Sequence, residues 1–421
     1  MIRHERIDRC LVCNGRKLTP YLNLGNQPLA NSYHKGSHSQ NTYPLGVQFC
    51  ETCAHSQLTY KVDNHLMFDD YPYVSGTSQT LDRYFRGFCQ YVMSNWKGKK
   101  PPRVLEIASN DATLLEMFKQ RGCKAVGVEP AQNLLEYYKD LSIPVYNCYW
   151  NNETADTILE DEGKFDVVIA VNVLPHVPNP QAFLEACRLM VDPNGVKQGG
   201  GVYIQTSQCD MFKNGEWDAI YHEHHSYFTA SSFGTLAYGA GMEIMEASKV
   251  PIHSMSFLFK LRPMSGEGHC DSLYAMLEEE VEGGWGKVET YKEWAKKVDN
   301  DKKDLLANLQ MYKTKGWSIV VYGASAKFST VSNYLELNAD YAVDDNHLKW
   351  GLYTPGRDIK IRSPEWLVGE GPLLIIMGAW NFSKEIEQRI KALRPEDLKD
   401  YGRPTMLLSY IPKVELKELW T

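Results

Sequence analysis

Proton-transfer side chains are most concentrated between Tyr221 and Phe228, where the sequence is Y-H-E-H-H-S-Y-F. The histidines lack the four-residue helical spacing of an HExxH zinc site. An imidazole such as that of His224 takes a proton near neutral pH, and the neighbouring Glu223 can orient it. A tyrosine hydroxyl can donate to a developing enolate oxygen. The segment therefore predicts a base that removes a proton beside a ketone. A polar loop of hydrogen-bonded histidines is the alternative.

Metal-binding chemistry is indicated by two CxxC pairs, Cys10/Cys13 and Cys50/Cys53. Both thiolates of one pair can reach the same metal ion, and two pairs complete a tetrahedral shell. A fully occupied shell is structural rather than catalytic, so we expect one structural Zn²⁺ per chain. Two disulfides or four packed thiols are the alternative. His55 is surplus to this shell and is expected at the surface.

A cofactor site is indicated where a strand runs into a tight turn and a helix, with the sequence E-I-A-S-N-D from Glu106 to Asp111. Small residues let the backbone approach a ligand, and acidic groups can hold a charged amino group. A second acid ends the next strand, where it can accept both hydroxyls of a ribose. No GxGxxG is present, so a dinucleotide is not indicated. The pattern predicts S-adenosylmethionine (SAM), bound by Glu106, Ala108, Ser109, Asn110, Glu129, Asn172 and His176.

The elements that position these groups follow an α/β pattern. Strands alternate with helices from residue 76 to 265, which predicts a doubly wound, mostly parallel sheet of the class I SAM-methyltransferase type. Residues 1–75 are rich in turn formers and predict a small zinc-binding domain. Long helices interrupted near Gly283, Gly284 and Gly286 lead to a second alternating set, so 266–421 predicts a Rossmann-like domain.

Bulk properties limit the class of protein. The formal net charge of the 421 residues is -7, which argues against a nucleic-acid binder. No apolar run approaches the roughly 20 residues of a membrane span, and the first residues are polar. We therefore expect a cytoplasmic protein with reduced cysteines, no membrane partner and a small-molecule substrate.

Taken in order, these motifs resemble the sugar C-methyltransferases that act on thymidine-diphosphate-linked 4-keto-6-deoxy sugars. The resemblance covers nearly the whole chain. It comprises the CxxC pairs, the turn at Glu106, G-V-E-P at 127–130, Y-H-E-H-x-S-Y-F at 221–228, Y-G-A-x-A-K at 322–327 and D-x-x-x-K-x-G-x-Y-x-P-G at 345–356. It implies a zinc domain, a SAM domain and a C-terminal nucleotide-sugar domain.

The resemblance also implies roles for individual residues. His224 would be the base, supported by Glu223 and Tyr221, and Tyr73 would face the substrate. The nucleotide-sugar would meet five further residues: Lys327, Asn333, Lys349, Tyr353 and His253. Lys327 would contact a phosphate, although a surface lysine is the simpler interpretation of that residue.

Three positions depart from the family pattern. Ala112 and Phe328 stand where the family has glycine, and residues 254–258 lack two glycines and an arginine of its H-G-G-S-x-R segment. These changes leave open another sugar or nucleotide base. Methylation of oxygen or nitrogen, or nucleotide-sugar binding without catalysis, are the alternative functions. The sequence is compatible with a monomer or a homodimer.

Overall fold

The computed structural model describes residues 4–36, 40–369, 371–400 and 402–420. The chain divides into two compact units. The larger unit comprises Met1–Thr19, Gln48–Cys209 and His224–Val288. The smaller unit comprises Pro20–Val47, Asp210–Glu223 and Glu289–Thr421.

The strands, in chain order, are β1 (His4–Arg6), β2 (Leu18–Gln27), β3 (Tyr43–Cys50), β4 (Ser56–Leu58), β5 (Tyr60–Val62), β6 (Arg103–Ile107), β7 (Lys124–Val128), β8 (Val145–Tyr146), β9 (Val167–Val171), β10 (Gly201–Ser207), β11 (Ser226–Tyr227), β12 (Met242–Val250), β13 (Ser256–Pro263), β14 (Ser318–Tyr322), β15 (Tyr341–Val343), β16 (Ile361–Arg362), β17 (Leu373–Met377), β18 (Thr405–Ser409) and β19 (Glu415–Glu418).

The α-helices are α1 (His65–Phe68), α2 (Gln79–Asn95), α3 (Thr113–Lys119), α4 (Asn152–Glu162), α5 (Pro180–Met190), α6 (Pro193–Lys197), α7 (Met211–Asn214), α8 (Ala230–Gly239), α9 (Asp271–Glu282), α10 (Val288–Thr314), α11 (Ala326–Tyr334) and α12 (Ser383–Leu393). Short 3-10 helices occupy Ser75–Thr77, Gln132–Tyr138, Leu174–His176, Trp217–Ala219, His347–Lys349, Pro364–Leu367, Trp380–Phe382 and Glu396–Lys399.

The larger unit is organised around a seven-stranded sheet with the order β12-β13-β10-β9-β6-β7-β8. Strands β8, β7, β6, β9 and β10 are parallel, whereas β13 runs antiparallel to both β10 and β12. This is the predicted class I SAM-methyltransferase sheet, and the prediction of fold class is confirmed.

Side-chain patterning explains why the central strands form. The sequence of β9 is V-V-I-A-V, and its first four residues are buried because helices cover both faces of the sheet. Helix α2 begins after Ser78, whose side chain accepts a hydrogen bond from the Leu81 amide. Helix α5 begins with Pro180 directly after its capping residue Asn179.

One predicted helix has a different form. For residues 132–140 the sequence predicts an α-helix, but Gln132–Tyr138 is a 3-10 helix. Within it, Asn133 exchanges two hydrogen bonds with the backbone of Tyr71, at 3.0 and 2.9 Å. These bonds fix the segment against a distant part of the chain, which a local pattern of apolar residues does not indicate.

The smaller unit contains a six-stranded sheet with the order β16-β15-β14-β17-β18-β19. Its first five strands are parallel and β19 is antiparallel to β18. This is the predicted C-terminal Rossmann-like sheet. In the part of the chain that the structure describes, no helix is long and apolar enough to cross a membrane.

A buried guanidinium group fastens the amino ends of two strands in this sheet. Arg394 is 1% exposed. It donates to the hydroxyl of Thr405 and to the carbonyl oxygens of Leu367, Gly371 and Arg403, at 2.6 to 2.9 Å. The loops that precede β17 and β18 are therefore held by one side chain.

We expect Arg394→Leu to lower the free energy of unfolding by about 3 to 5 kcal/mol, because four buried acceptors lose their donor. Urea unfolding followed by circular dichroism measures this loss. Arg389→Leu in α12 is the matched control, since the ion pair of Arg389 with Glu365 is exposed and contributes about 1 kcal/mol or less. Equal losses for the two variants would contradict the role given to Arg394.

Candidate active site and metal centre

The predicted SAM-binding residues meet at the carboxyl edge of the seven-stranded sheet. The turn after β6 lies beside the end of β7, because the Ser109 amide donates to the Val128 carbonyl at 3.1 Å. The Asn110 amide donates to the Glu129 carboxylate at 2.7 Å, and the Ala131 amide donates to its other oxygen at 2.9 Å. The structure thus brings Asn110 into direct contact with Glu129 and places Ser109 against Val128, the residue before Glu129.

Glu106 lies at the centre of this group and is 4% exposed. Burial, followed by the charges of Asp111 and Glu129, raises the pKa of Glu106 well above its ordinary value. Its Oε2 is buried without a hydrogen-bond partner among the described residues. A buried carboxylate of this kind is costly unless a cation or a donor reaches it.

The backbone of the turn after β6 adopts left-handed conformations at three residues that are not glycine. The φ angles are 54° at Ala108, 52° at Asn110 and 63° at Ala112. Such angles are uncommon outside glycine and mark strained positions. Ala112, which stands where the family pattern has glycine, therefore adopts a backbone conformation that glycine favours.

The segment before α2 also packs on this turn. The Gly76 amide donates to Asp111 at 2.7 Å, and the Ser75 amide donates to the Asn110 side chain at 2.9 Å. A Cβ at Gly76 would lie 2.5 Å from the Asp111 carboxylate, so the close approach requires glycine. Asn110 in turn donates to the Tyr73 carbonyl at 3.0 Å, which places Tyr73 beside the SAM turn.

Tyr73 has a partly exposed ring, 42% accessible. Desolvation, followed by the charge of Asp111, raises the pKa of its hydroxyl to about 12. The hydroxyl therefore stays protonated at neutral pH and can act as a hydrogen-bond donor.

Two groups at this edge were not among the predicted SAM contacts. Asp111 is 8% exposed and receives the Gly76 amide. The hydroxyl of Tyr138 lies 2.6 Å from that of Ser109. Asp111 follows directly after Asn110 in the turn, which is a local signal, whereas nothing in the spacing points to Tyr138.

The imidazoles of His176 and His224 lie next to each other in the larger unit. Their ring centroids are 4.9 Å apart, in an edge-to-face arrangement. His176 ends the 3-10 helix that follows β9, and His224 precedes β11. Asn172, which has a φ of 56°, also follows β9 and donates its amide to the Gln205 carbonyl of β10 at 2.9 Å. A predicted SAM residue and the predicted base are thus neighbours.

Glu223 and Tyr221 belong to the smaller unit, whereas His224 belongs to the larger one. Within the smaller unit, the Glu223 carboxylate accepts a hydrogen bond from Asn31 at 2.7 Å. The Nε2 atom of His222, the residue before Glu223, lies 3.2 Å from the Tyr43 carbonyl oxygen. The division between the units therefore falls inside the predicted catalytic segment.

Lys327 and Lys349 are the two charged side chains among the predicted substrate residues of the smaller unit. The Lys327 ammonium lies 3.5 Å from the Glu216 carboxylate and 4.7 Å from the ring centroid of Trp380. Lys349 is more firmly held, since it donates to the Ala324 carbonyl at 2.8 Å and to Asp344 at 3.1 Å.

Asn333 and Tyr353 have contacts within the fold. Asn333 donates to the carbonyls of Ser329 and Pro355, at 2.8 and 3.0 Å. The ring of Tyr353 stacks on that of His34 with centroids 5.8 Å apart.

His253 lies in the turn between β12 and β13. The φ angles there are 53° for His253 and 76° for Ser254, so two residues with side chains adopt left-handed backbone conformations. Because Ser256 at the start of β13 pairs with Ser207 at the end of β10, this turn lies at the carboxyl edge of the sheet.

The four predicted zinc ligands converge. Their Sγ atoms lie within 4.8 Å of one another, with 3.5 Å between Cys10 and Cys53 and 3.6 Å between Cys13 and Cys50. A disulfide needs about 2.05 Å, so these are four separate thiols. Zn–S bonds of about 2.3 Å in a tetrahedron put the sulfurs about 3.8 Å apart, and the four cysteines fit that ion.

The prediction for His55 was wrong. Its side chain is fully buried rather than at the surface, with its ring 5.1 Å from that of Phe228 and its Nε2 3.2 Å from the Ser226 hydroxyl. Proximity to a metal knuckle in sequence does not reveal that β4 carries this residue into a sheet with β11.

Comparison with known families gives three consecutive matches. Residues 10–68 match a putative zinc binding domain, residues 81–247 a methyltransferase domain and residues 251–399 a C-methyltransferase C-terminal domain. The C-methyltransferase NovU of Streptomyces niveus is 26% identical over 90% of this chain and 91% of its own. The chain is a SAM-dependent methyltransferase, and it is similar to C-methyltransferases over most of its length.

Other similarities are confined to part of the chain. A ubiquinone biosynthesis O-methyltransferase of Chromobacterium violaceum is 23% identical over 39% of this chain and 73% of its own. Among solved structures, the CcbJ methyltransferase of Streptomyces caelestis is 15% identical, with a TM-score of 0.33, over 52% of this chain and all of its own.

The residues at the carboxyl edge fit SAM. Its ammonium group would neutralise the acids around Glu106, and the left-handed turn lets the backbone approach a ligand closely. The Glu129 carboxylate, at the end of β7, has the position from which a ribose diol is bound in doubly wound sheets.

We expect the affinity for SAM to rise with pH. The pKa of Glu106 is raised by burial in the free protein, whereas a bound ammonium group lowers it by favouring the carboxylate. Binding therefore releases protons at pH values between these two pKa values, and affinity rises with pH across that interval. Titration calorimetry in buffers of different ionisation enthalpy measures that proton.

Glu106→Gln should weaken SAM binding about 10- to 100-fold and remove the dependence on pH. Glu116→Gln, at an acid of helix α3 for which no role in binding is assigned, is the control. A Glu106→Gln variant that still releases the proton would refute this assignment.

For the metal centre, we expect Cys50→Ser to eliminate bound zinc and to lower the melting temperature, because metal binding contributes folding free energy. Metal content by mass spectrometry, expected near one zinc per chain for the native protein, is the measurement. Cys148→Ser removes a half-buried cysteine outside the cluster and should retain the metal. A stably folded, zinc-free native protein would argue against a structural zinc site.

Proposed function

We propose that the protein methylates a carbon atom next to the ketone of a nucleotide-linked 4-keto-6-deoxy sugar, with thymidine diphosphate as the nucleotide. The main support is the position of His224, whose imidazole lies 4.9 Å from that of His176 at the edge that holds the SAM residues. The similarity to NovU over 90% of the chain is consistent with carbon as the methylated atom.

His224 is the proposed base. Carbon beside a ketone becomes nucleophilic only after a proton is removed, and a neutral imidazole takes that proton near pH 7. The C–H electron pair forms the enolate, and the negative charge moves to the ketone oxygen. A protonated tyrosine hydroxyl can donate to this oxygen, and Tyr73, with its raised pKa, is one such donor.

The other two groups of the catalytic segment have supporting roles in this proposal. Glu223, held by Asn31, supplies a negative charge adjacent in sequence to the base, which favours the imidazolium form. Tyr221 is the second candidate donor to the enolate oxygen. SAM, when bound, supplies the methyl group that the enolate carbon receives.

The smaller unit is proposed to bind the nucleotide-sugar. Lys327 is the proposed phosphate ligand, because its 3.5 Å ion pair with Glu216 is longer than a normal hydrogen bond and a diphosphate can compete for the ammonium. Lys349 and Asn333, which hold backbone carbonyls, are proposed to fix the binding loops. Tyr353 is proposed to contact the sugar-nucleotide. His253, which belongs to the larger unit, is also a proposed substrate residue.

We expect His224→Gln to lose turnover by about 100-fold or more while its affinity for SAM stays within about twofold of the native protein. The assay mixes protein, SAM and thymidine-diphosphate 4-keto-6-deoxyglucose in deuterated buffer. Mass spectrometry records methyl gain and deuterium uptake beside the ketone.

His225→Gln is the control within the same segment, because the Nε2 of His225 lies 3.1 Å from the Asn64 side chain and no catalytic role is assigned to it. It should keep deuterium uptake. Methyl gain in the native protein without any dependence on His224 would indicate another base. Methyl transfer to oxygen or nitrogen of the sugar would contradict the carbanion mechanism.

A further inference from the structure

Gln208 has a buried side-chain amide that lacks a hydrogen-bond partner in the described part of the chain. It directly follows β10 and is 5% exposed. Neither its Nε2 nor its Oε1 has a partner among the described residues. Buried side-chain amides are normally hydrogen bonded, and a group that is not requires a specific explanation.

The backbone at this position is strained as well. The φ of Gln208 is 78°, a left-handed conformation that glycine adopts at lower cost. Strain of this kind is concentrated where a side chain must be presented to a ligand. One residue therefore combines an unsatisfied amide with an unfavourable backbone angle.

A second buried polar group lies two residues earlier, within β10. The hydroxyl of Thr206 is fully buried and also has no partner in the described part of the chain. Thr206 pairs with Phe257 of β13, and Ser207 pairs with Ser256. Three potential hydrogen-bonding atoms without partners thus occur within three residues at the end of β10.

The topology places this end of β10 at the candidate active site. Asn172, a predicted SAM residue, donates its amide to the Gln205 carbonyl of β10. The turn that contains His253 and Ser254 connects β12 to β13, and Ser256 at the start of β13 pairs with Ser207 of β10. Ligands of doubly wound sheets bind outside the carboxyl ends of the strands.

We propose that Gln208, with Thr206 beside it, is a specificity-determining residue that hydrogen-bonds an oxygen substituent of the substrate. An amide offers a donor and an acceptor together, which complements a hydroxyl or a hydroxyl next to a carbonyl. The substrate class is therefore a sugar that retains a ring hydroxyl near the methylated carbon. This assignment rests on the proposed function for the identity of the sugar.

The first test compares Gln208→Leu with the native protein on three substrates. These are thymidine-diphosphate 4-keto-6-deoxyglucose and its analogues that lack either the 2-hydroxyl or the 3-hydroxyl. The native protein should disfavour one analogue by about 10- to 100-fold in kcat/KM, because a missing hydroxyl leaves the buried amide unpaired. Gln208→Leu should lose this discrimination. Equal discrimination in both proteins overturns the proposal.

The second test uses stability without substrate. Leucine removes both unpaired atoms while filling similar space, so the melting temperature of Gln208→Leu should rise by about 2–4 °C. Gln48→Leu is the matched control, because the buried amide of Gln48 donates to the carbonyls of Ile7 and Leu58, at 2.9 and 3.2 Å. That variant should melt lower and keep the native discrimination. A lower melting temperature for Gln208→Leu overturns the proposal.

The two tests separate the two proposals. If the native protein methylates none of the three sugars, the proposed function fails. The melting temperature of Gln208→Leu then decides alone: a rise supports a ligand-facing amide, and a fall assigns Gln208 to the packing of the fold. If the sugars are methylated, the discrimination between the analogues decides.

Discussion

Burial of the carboxyl groups of Glu106, Asp111 and Glu129 at the ends of β6 and β7 is the constraint on which the cofactor site depends. Burial raises the pKa of Glu106 and of Glu129, and the charge of Asp111 raises both further. The backbone amides of Asn110 and Ala131 donate hydrogen bonds to the Glu129 carboxylate. The Gly76 amide donates to the Asp111 carboxylate. The Oε2 atom of Glu106 has no hydrogen-bond donor among the described residues, and the ammonium group of SAM would supply one there.

The same edge of the sheet stores backbone strain. Left-handed conformations occur at Ala108, Asn110 and Ala112 after β6, at Asn172 after β9, and at Gln208 after β10. Each is a strand end at which the chain must turn sharply and still leave room for a ligand. The regular elements behind these turns, such as the fully apolar β9, supply the stability that tolerates the strain.

Much of the fold could be predicted from the sequence, because apolar runs of about five residues define buried strands. The apolar runs at 167–171, 318–322, 341–343, 373–377 and 405–409 predict strands, and β9, β14, β15, β17 and β18 have these bounds. The sequence also predicts helices at 180–190 and 383–393, which are the bounds of α5 and α12. The four cysteines converge as their spacing indicates. Helices α4 and α8 and the β12–β13 hairpin are not among the predicted elements.

Long-range contacts account for what the sequence does not reveal about the site. Lys349 looks like a free cation in its motif, yet Ala324 and Asp344 already bind its ammonium group. Gln208 is unremarkable in the sequence, and only its burial and missing partners distinguish it. The burial of His55 depends on the pairing of β4 with β11, far along the chain.

The order of segments along the chain has a consequence for biosynthesis. The chain alternates between the two units in six segments, and the larger unit ends only at Val288. A ribosome therefore releases the zinc-binding cysteines early, but neither unit can complete its fold until more than half of the protein has been made. Early segments of each unit must therefore wait for later ones during translation, and incompletely folded segments of this kind expose apolar surface that favours aggregation.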